Sequence, residues 1–259
     1  MEDPQPGDGE PCVEIRDEHG GRVARLVLTA PPENPLDILL VESLGRAVAA
    51  VAGWPDLRAV VLEGSGAHFS TGHPASQLRP PFAAAVVEGL HAAARTLLAL
   101  DALLLAPVRG RCEGAGAALA LVADLVLADP TTRFLFMDSA GHLPPLTPLL
   151  LAERLDRGRA ADALLSGKAL TGEEALSLRL IKDYAGGWES LETMTAHHVD
   201  RLALTPPAES LRITLHALRA DTLTHVADQL PELERRTLDR LGRSPRIPSP
   251  RDGSRRPSK

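Results

Sequence analysis

The chain has 259 residues, 44% of them hydrophobic but only 3% aromatic, and a formal net charge of -6. This is enough apolar material for one large domain or two small ones, with a core built mainly from Ala, Leu and Val. So few aromatic rings exclude a base-stacking surface for single-stranded nucleic acid, and the acidic balance gives no general attraction to nucleic acid or anionic membranes.

Residues 1–11, MEDPQPGDGEP, are acidic and rich in Pro and Gly. They predict a short disordered arm rather than a signal or transit peptide. Val13 to Arg16 and Arg22 to Leu28 predict two strands joined through His19-Gly20-Gly21, a hairpin signal. After Pro31-Pro32, the spacing of Val41, Leu44, Val48 and Val51 predicts a helix that Gly53-Trp54-Pro55 ends. Arg58 to Glu63 predicts a buried strand leading into a loop with Gly64, Gly66 and Gly72. A helix follows from about Phe82 to Leu100, with Val87, Leu90, Ala94 and Leu97 on its apolar face.

Leu103 to Val108 is again strand-like. A turn with Gly110, Gly114 and Gly116 then opens an Ala/Leu helix expected to reach Ala123, and strands follow at Leu125 to Ala128 and Arg133 to Met137. This alternation predicts an α/β fold of βαβ units over residues 12–146. From Thr147 to residue 242 the pattern predicts helices only. Thr171-Gly172-Glu173-Glu174 has the form of a capping box. Thr205-Pro206 starts a helix whose buried face is Leu211, Leu215 and Leu218, and Pro231 predicts a break in the stripe formed by Leu223, Val226, Leu230 and Leu233. Residues 243–259 are rich in Pro, Ser and Arg and predict a disordered basic tail.

The most apolar stretch, Gly114 to Ala128, is interrupted by Asp124 and falls short of the roughly 20 residues a membrane span needs. Cys12 and Cys112 lie far apart with no metal-binding spacing, so neither a disulfide framework nor a metal site is expected, and a reducing, cytoplasmic compartment fits.

Three segments carry the chemistry: Gly66-Ala67-His68-Phe69-Ser70-Thr71-Gly72-His73, the run from Val108 through Gly114-Ala115-Gly116 to Ala128, and Leu164 to Ala175. In this order and spacing, from about Val13 to Leu241, they resemble the crotonase (enoyl-CoA hydratase/isomerase) superfamily. His68-Phe69-Ser70 and Val108-Arg109-Gly110 are most similar to its cyclohexadienecarbonyl-CoA hydratase branch. The resemblance implies a crotonase-like spiral of βαβ units with a helical C-terminal trimerisation region, assembled as a homotrimer or homohexamer. It implies an acyl-CoA or acyl-carrier thioester as substrate, with CoA as part of that substrate and no separate cofactor. The backbone N–H groups of His73 and Ala115 would then point at the thioester oxygen, with Gly72, Gly114 and Gly116 admitting the substrate-binding backbone at close range.

The departures from that family bear on mechanism. Typical hydratases carry two glutamates; the first position falls on Ala118 and the second on Asp138. One carboxylate suffices for a double-bond shift, so double-bond isomerisation or an atypical hydration with Asp138 as acid and base is expected. His73, Glu113 and His142 are the candidates to replace the missing group. Asp124 matches a structural Asp of the family, Arg25, Arg79 and Arg109 are candidates for CoA phosphates, and His197-His198 reads as a solvated helix face. A decarboxylase, a hydrolase and an inactive assembly subunit on the same fold are the competing expectations. A Rossmann turn lacks its third glycine, since Leu119 stands there, and a serine-hydrolase elbow around Ser70 has His68 in place of its first glycine.

Overall fold

A computed structural model describes residues 12–138 and 141–242. The expected arm at 1–11 and tail at 243–259 lie outside the described residues. The hairpin forms as β1 (Val13–Glu18) and β2 (Val23–Leu28), paired antiparallel from Val13 opposite Leu28 to Glu18 opposite Val23. Helix α1 (Ile38–Ala52) starts where the Asp37 side chain accepts the Leu40 N–H at 2.8 Å and stops at Gly53. Its apolar face, Leu40, Leu44, Val48 and Val51, is fully buried.

Strand β3 (Ala59–Gly64), buried at all six residues, runs parallel to β2. Helix α2 (Ala83–Leu98) returns the chain to β4 (Leu103–Val108), parallel to β3. Next come β5 (Arg111–Glu113), α3 (Ala115–Ala120), β6 (Leu125–Ala128) and β7 (Arg133–Leu135). Strand β5 occupies what reads as turn in the sequence, and α3 is three residues shorter than expected. The sequence after Ala120 leaves the helix early because Leu121, Val122 and Ala123 pack in the core while Asp124 turns back to accept the Leu104 N–H at 2.8 Å.

The C-terminal region contains α4 (Leu146–Ala152), α5 (Arg157–Leu165), α6 (Gly172–Ser177), α7 (Trp188–Val199), a five-residue π-helix at Asp200–Leu204, and α8 (Ala208–Gly242). Contrary to the expectation of helices only, it also holds two short strands: β8 (Leu170–Thr171) pairs antiparallel with β7, and β9 (Asp183–Tyr184) adds to the edge of the main sheet beside β6. The result is a six-stranded sheet in the order β1-β2-β3-β4-β6-β9 and a three-stranded sheet in the order β5-β7-β8. The capping box at α6 forms in both directions, Glu174 N–H to Thr171 Oγ1 at 3.1 Å and Thr171 N–H to Glu174 Oε2 at 2.8 Å.

Helix α8 corrects two expectations. It runs through Pro231 without a break: a proline there costs one backbone hydrogen bond, and the fully buried Leu230 beside it anchors the helix. Its buried face is Leu211, Leu215 and Arg219, whereas Leu218 is 72% exposed. No helix among the described residues is long and apolar enough to cross a membrane.

Candidate active site

Two loops at the ends of β3 and β4 are sewn together by short-range backbone bonds. Ser70 N–H donates to Arg111 O at 3.2 Å, and Glu113 N–H donates to Ser70 O at 2.9 Å. The Ser70 hydroxyl donates to Asn34 O at 2.7 Å and accepts the Gly72 N–H at 3.1 Å. Asn34, fully buried, spends its amide on the carbonyls of Ser65 and His68 at 2.9 Å each, which fixes the first loop from below. Each of these polar groups is paired, and those of Asn34 and Ser70 are buried, which ties the two loops together.

The seam brings the two expected N–H donors together. Gly72 has φ +75°, and a methyl group there would stand 2.6 Å from Glu113 O and 2.9 Å from Ala115 N, so the residue before His73 is in contact with the second loop at Ala115. Ala115 is the first residue of α3, where helical geometry supplies no intrahelical acceptor for its N–H. Gly114 precedes it with φ +50°, and a methyl group there would meet Asp138 Cβ at 2.8 Å. Gly116 packs as closely on Ser70. His73, Ala115, Gly72, Gly114, Gly116 and Asp138 thus form one constellation.

Asp138 is buried, 5% exposed, and its Oδ1 accepts the His142 N–H at 2.9 Å. It therefore also closes the Asp138–His142 turn, a common structural use of an Asp that follows a strand. His73, Asp138 and His142 line a narrow cleft with Val87 of α2 and with Thr237 and Leu241 of α8. The cleft has a volume of about 10 Å³, room for about one water molecule.

The His73 ring is 4% exposed, with Nδ1 2.6 Å from Leu36 O, which makes Nδ1 the protonated nitrogen. Burial, outweighing this backbone bond, pushes its pKa down from 6.5 to about 4, and His91 adds to the depression. The folded state thus binds fewer protons than the unfolded chain between these values, so stability is complete above 6.5 and is lost as pH falls towards 4. The shift corresponds to about 3 kcal/mol. In urea unfolding at pH 7 and pH 4, His73→Gln should lose about that much less stability between the two conditions than the unsubstituted protein. Equal losses would remove His73 from the acid response.

The remaining predicted residues separate cleanly. Glu113 is held by Arg111, with Nε–Oε1 at 2.7 Å and Nη2–Oε2 at 2.8 Å, outside the cleft lining. Ala118 is fully buried in the apolar core. Arg25 pairs with Glu18 and Glu63, each at 2.8 Å, and Arg109 stacks on Trp188 at 3.6 Å. Arg79 is exposed. Asp124 is structural: it is bound by Leu104 N–H and by Arg219. The expectation of a solvated His197-His198 face fails at His198, which is 4% exposed and lies with Nε2 3.5 Å from Asp183, because α7 turns that position toward the β9 strand.

Two residues that matter were missed. His91 of α2 lines the cleft at 1% exposure, and its Nδ1 lies 2.6 Å from Glu234 Oε2 of α8. Its signal was present: His91 stands four residues after Val87 on the apolar face, where a polar ring needs a partner. Among the described residues no group of three or more His, Cys, Asp or Glu side chains could hold a metal ion.

The Enoyl-CoA hydratase/isomerase family profile matches residues 18–244. A curated relative, cyclohexa-1,5-dienecarbonyl-CoA hydratase of Thauera aromatica, is 29% identical over 225 residues, covering 86% of this chain and 86% of its own length. The crystal structure of an enoyl-CoA hydratase from Mycobacterium avium subsp. paratuberculosis K-10 is similar with a TM-score of 0.81 at 25% identity, over 92% of this chain and 96% of the other. A Thermobifida fusca YX protein crystallised in complex with acetoacetyl-CoA has a TM-score of 0.72 at 27% identity, over 89% of this chain and 95% of the other. With the fold, the two sewn loops and the family match in agreement, the chain belongs to the enoyl-CoA hydratase/isomerase family of acyl-CoA-processing enzymes, within the crotonase superfamily.

Proposed function

We propose that this enzyme binds an unsaturated acyl-CoA with its thioester oxygen between the N–H groups of His73 and Ala115, and that Asp138 moves the proton at the adjacent carbon. Adding water to a conjugated double bond, or shifting that bond, builds negative charge on the thioester oxygen. Two fixed donors stabilise that charge as it develops, and losing one such donor commonly costs about 100- to 1,000-fold in rate. The observation that carries the reading is the contact of Asp138 Cβ with the Gly114 position, one residue from the Ala115 donor. The relative named a dienecarbonyl-CoA hydratase and the neighbour holding acetoacetyl-CoA support a CoA thioester as the substrate class. CoA enters as part of the substrate, no separate cofactor is invoked, and a trimer or a pair of trimers is the proposed assembly.

Asp138→Asn keeps the Oδ1 acceptor for the His142 N–H while removing the proton-transfer group. Turnover of an enoyl-CoA panel that includes a cyclic dienoyl-CoA should fall by about 100-fold or more, with calorimetric affinity for butyryl-CoA nearly unchanged. Turnover that stays at the level of the unsubstituted enzyme would take Asp138 out of the mechanism.

A further inference from the structure

Hydration needs a group that takes a proton from water and a group that delivers one to carbon, and Ala118 leaves one of these posts vacant. We propose that His91, oriented by Glu234, fills it as the catalytic base for the attacking water. The inference rests on the reading given under Proposed function and adds a second proton-transfer residue to it.

His91 sits on the inward face of α2 at 1% exposure and shares the cleft with His73, Asp138 and His142. Its Nδ1–H donates to Glu234 Oε2 at 2.6 Å, which leaves Nε2 as the ring nitrogen not committed to Glu234. An imidazole fixed through one nitrogen by a partly buried carboxylate is oriented as a base, and the carboxylate stabilises the imidazolium that forms. Glu234 is suited to this: its pKa is lowered first by the hydrogen bond from His91, so it stays ionised. The neighbouring His73 is not equivalent, because its Nδ1–H is committed to Leu36 O and burial depresses its basicity. The cleft these groups line has a volume of about 10 Å³, near the size of the single water that the proposed step uses.

The step balances as follows. As the water oxygen bonds to the β-carbon, one water proton passes to His91 Nε2. The double-bond electron pair moves towards the thioester, whose oxygen carries the charge between His73 N–H and Ala115 N–H. The α-carbon then takes a proton from the protonated Asp138 carboxyl, and exchange with solvent returns His91 and Asp138 to their starting states.

A purely mechanical role, fastening α8 to α2, predicts something different from catalysis. In the full-length enzyme, His91→Gln should lower kcat for crotonyl-CoA hydration by about 100-fold or more, while butyryl-CoA affinity and the melting temperature change little. Glu234→Gln keeps an acceptor for His91 Nδ1–H and should lower kcat by about 10-fold or more at unchanged KM; it carries the test if the His91 variant does not fold. Turnover by His91→Gln within threefold of the unsubstituted enzyme overturns the base assignment, as does a loss that appears equally in affinity and kcat. In either case Asp138→Asn still reports on the underlying reading. If the unsubstituted enzyme hydrates no enoyl-CoA, this assignment falls, while a double-bond shift that Asp138→Asn abolishes would still support the underlying reading.

Discussion

Arg219→Met is expected to remove about 3 to 5 kcal/mol of stability, a large share of the roughly 5–15 kcal/mol that holds a domain together. Arg219 is 5% exposed on α8 and reaches into the segment between α2 and β4. Its Nε donates to Asp124 Oδ1 at 2.8 Å and its Nη2 to Asp124 Oδ2. Nη1 donates to Leu100 O at 2.7 Å and Leu98 O at 3.2 Å, and Nη2 also donates to Ala102 O at 2.8 Å. Methionine matches much of the volume but donates nothing, so three carbonyls lose their donors and a mostly buried carboxylate loses its counter-charge. Urea unfolding measures the loss. The double variant Arg219→Met/Asp124→Asn should recover part of it, since Asn still accepts the Leu104 N–H without an orphaned charge. If the double variant is no more stable than the single one, the charge pair is not the source of the effect.

Gly72→Ala is expected to reduce turnover by about 100- to 1,000-fold, the cost of displacing an oxyanion donor. The added methyl would lie 2.6 Å from Glu113 O and 2.9 Å from Ala115 N, both backbone atoms that cannot rotate away. The two loops must then separate, and the His73 and Ala115 donors separate with them. Gly66→Ala supplies the control: its φ of +71° imposes a similar left-handed strain, but the new methyl meets nothing nearer than Pro32 O at 3.8 Å. It should therefore cost stability but little turnover per folded molecule. Equal losses in the two variants would mean that backbone strain, rather than loop separation, governs activity.

Most regular elements were legible because their periodicity is strong. Helix α1 shows four apolar residues at spacings of three and four, β3 carries the apolar run Ala59 to Leu62, and β4 is apolar throughout. Strands β5, β8 and β9 have two or three residues each, too few for any period to register. In α8 the run Leu211, Leu215, Leu218 is a sound helical face, yet the structure continues from Leu215 to Arg219. That choice is made by Asp124 and three carbonyls in a distant segment, which the local pattern does not contain. The loops of the candidate site were legible only through family resemblance, since their form depends on cross-loop contacts such as Ser70 with Arg111 and Glu113. The pairing of His91 with Glu234 spans 143 positions and had no local trace beyond a histidine on an apolar face.

The clamp at Arg219 also sets an order on the assembly of the chain. The carbonyls of Leu98, Leu100 and Ala102 acquire their donor from a residue 117 to 121 positions later, and Asp124 waits 95 positions for its cation. During vectorial synthesis, β4 and the segment before it can pair with β3 long before α8 exists, but their rear polar groups stay hydrated until residue 219 has left the ribosome. Closure of loops this long is slow, so these bonds are expected to form late. Folding of the βαβ half is thus completed from its far end, with α8 acting as the final fastening of a core translated long before it.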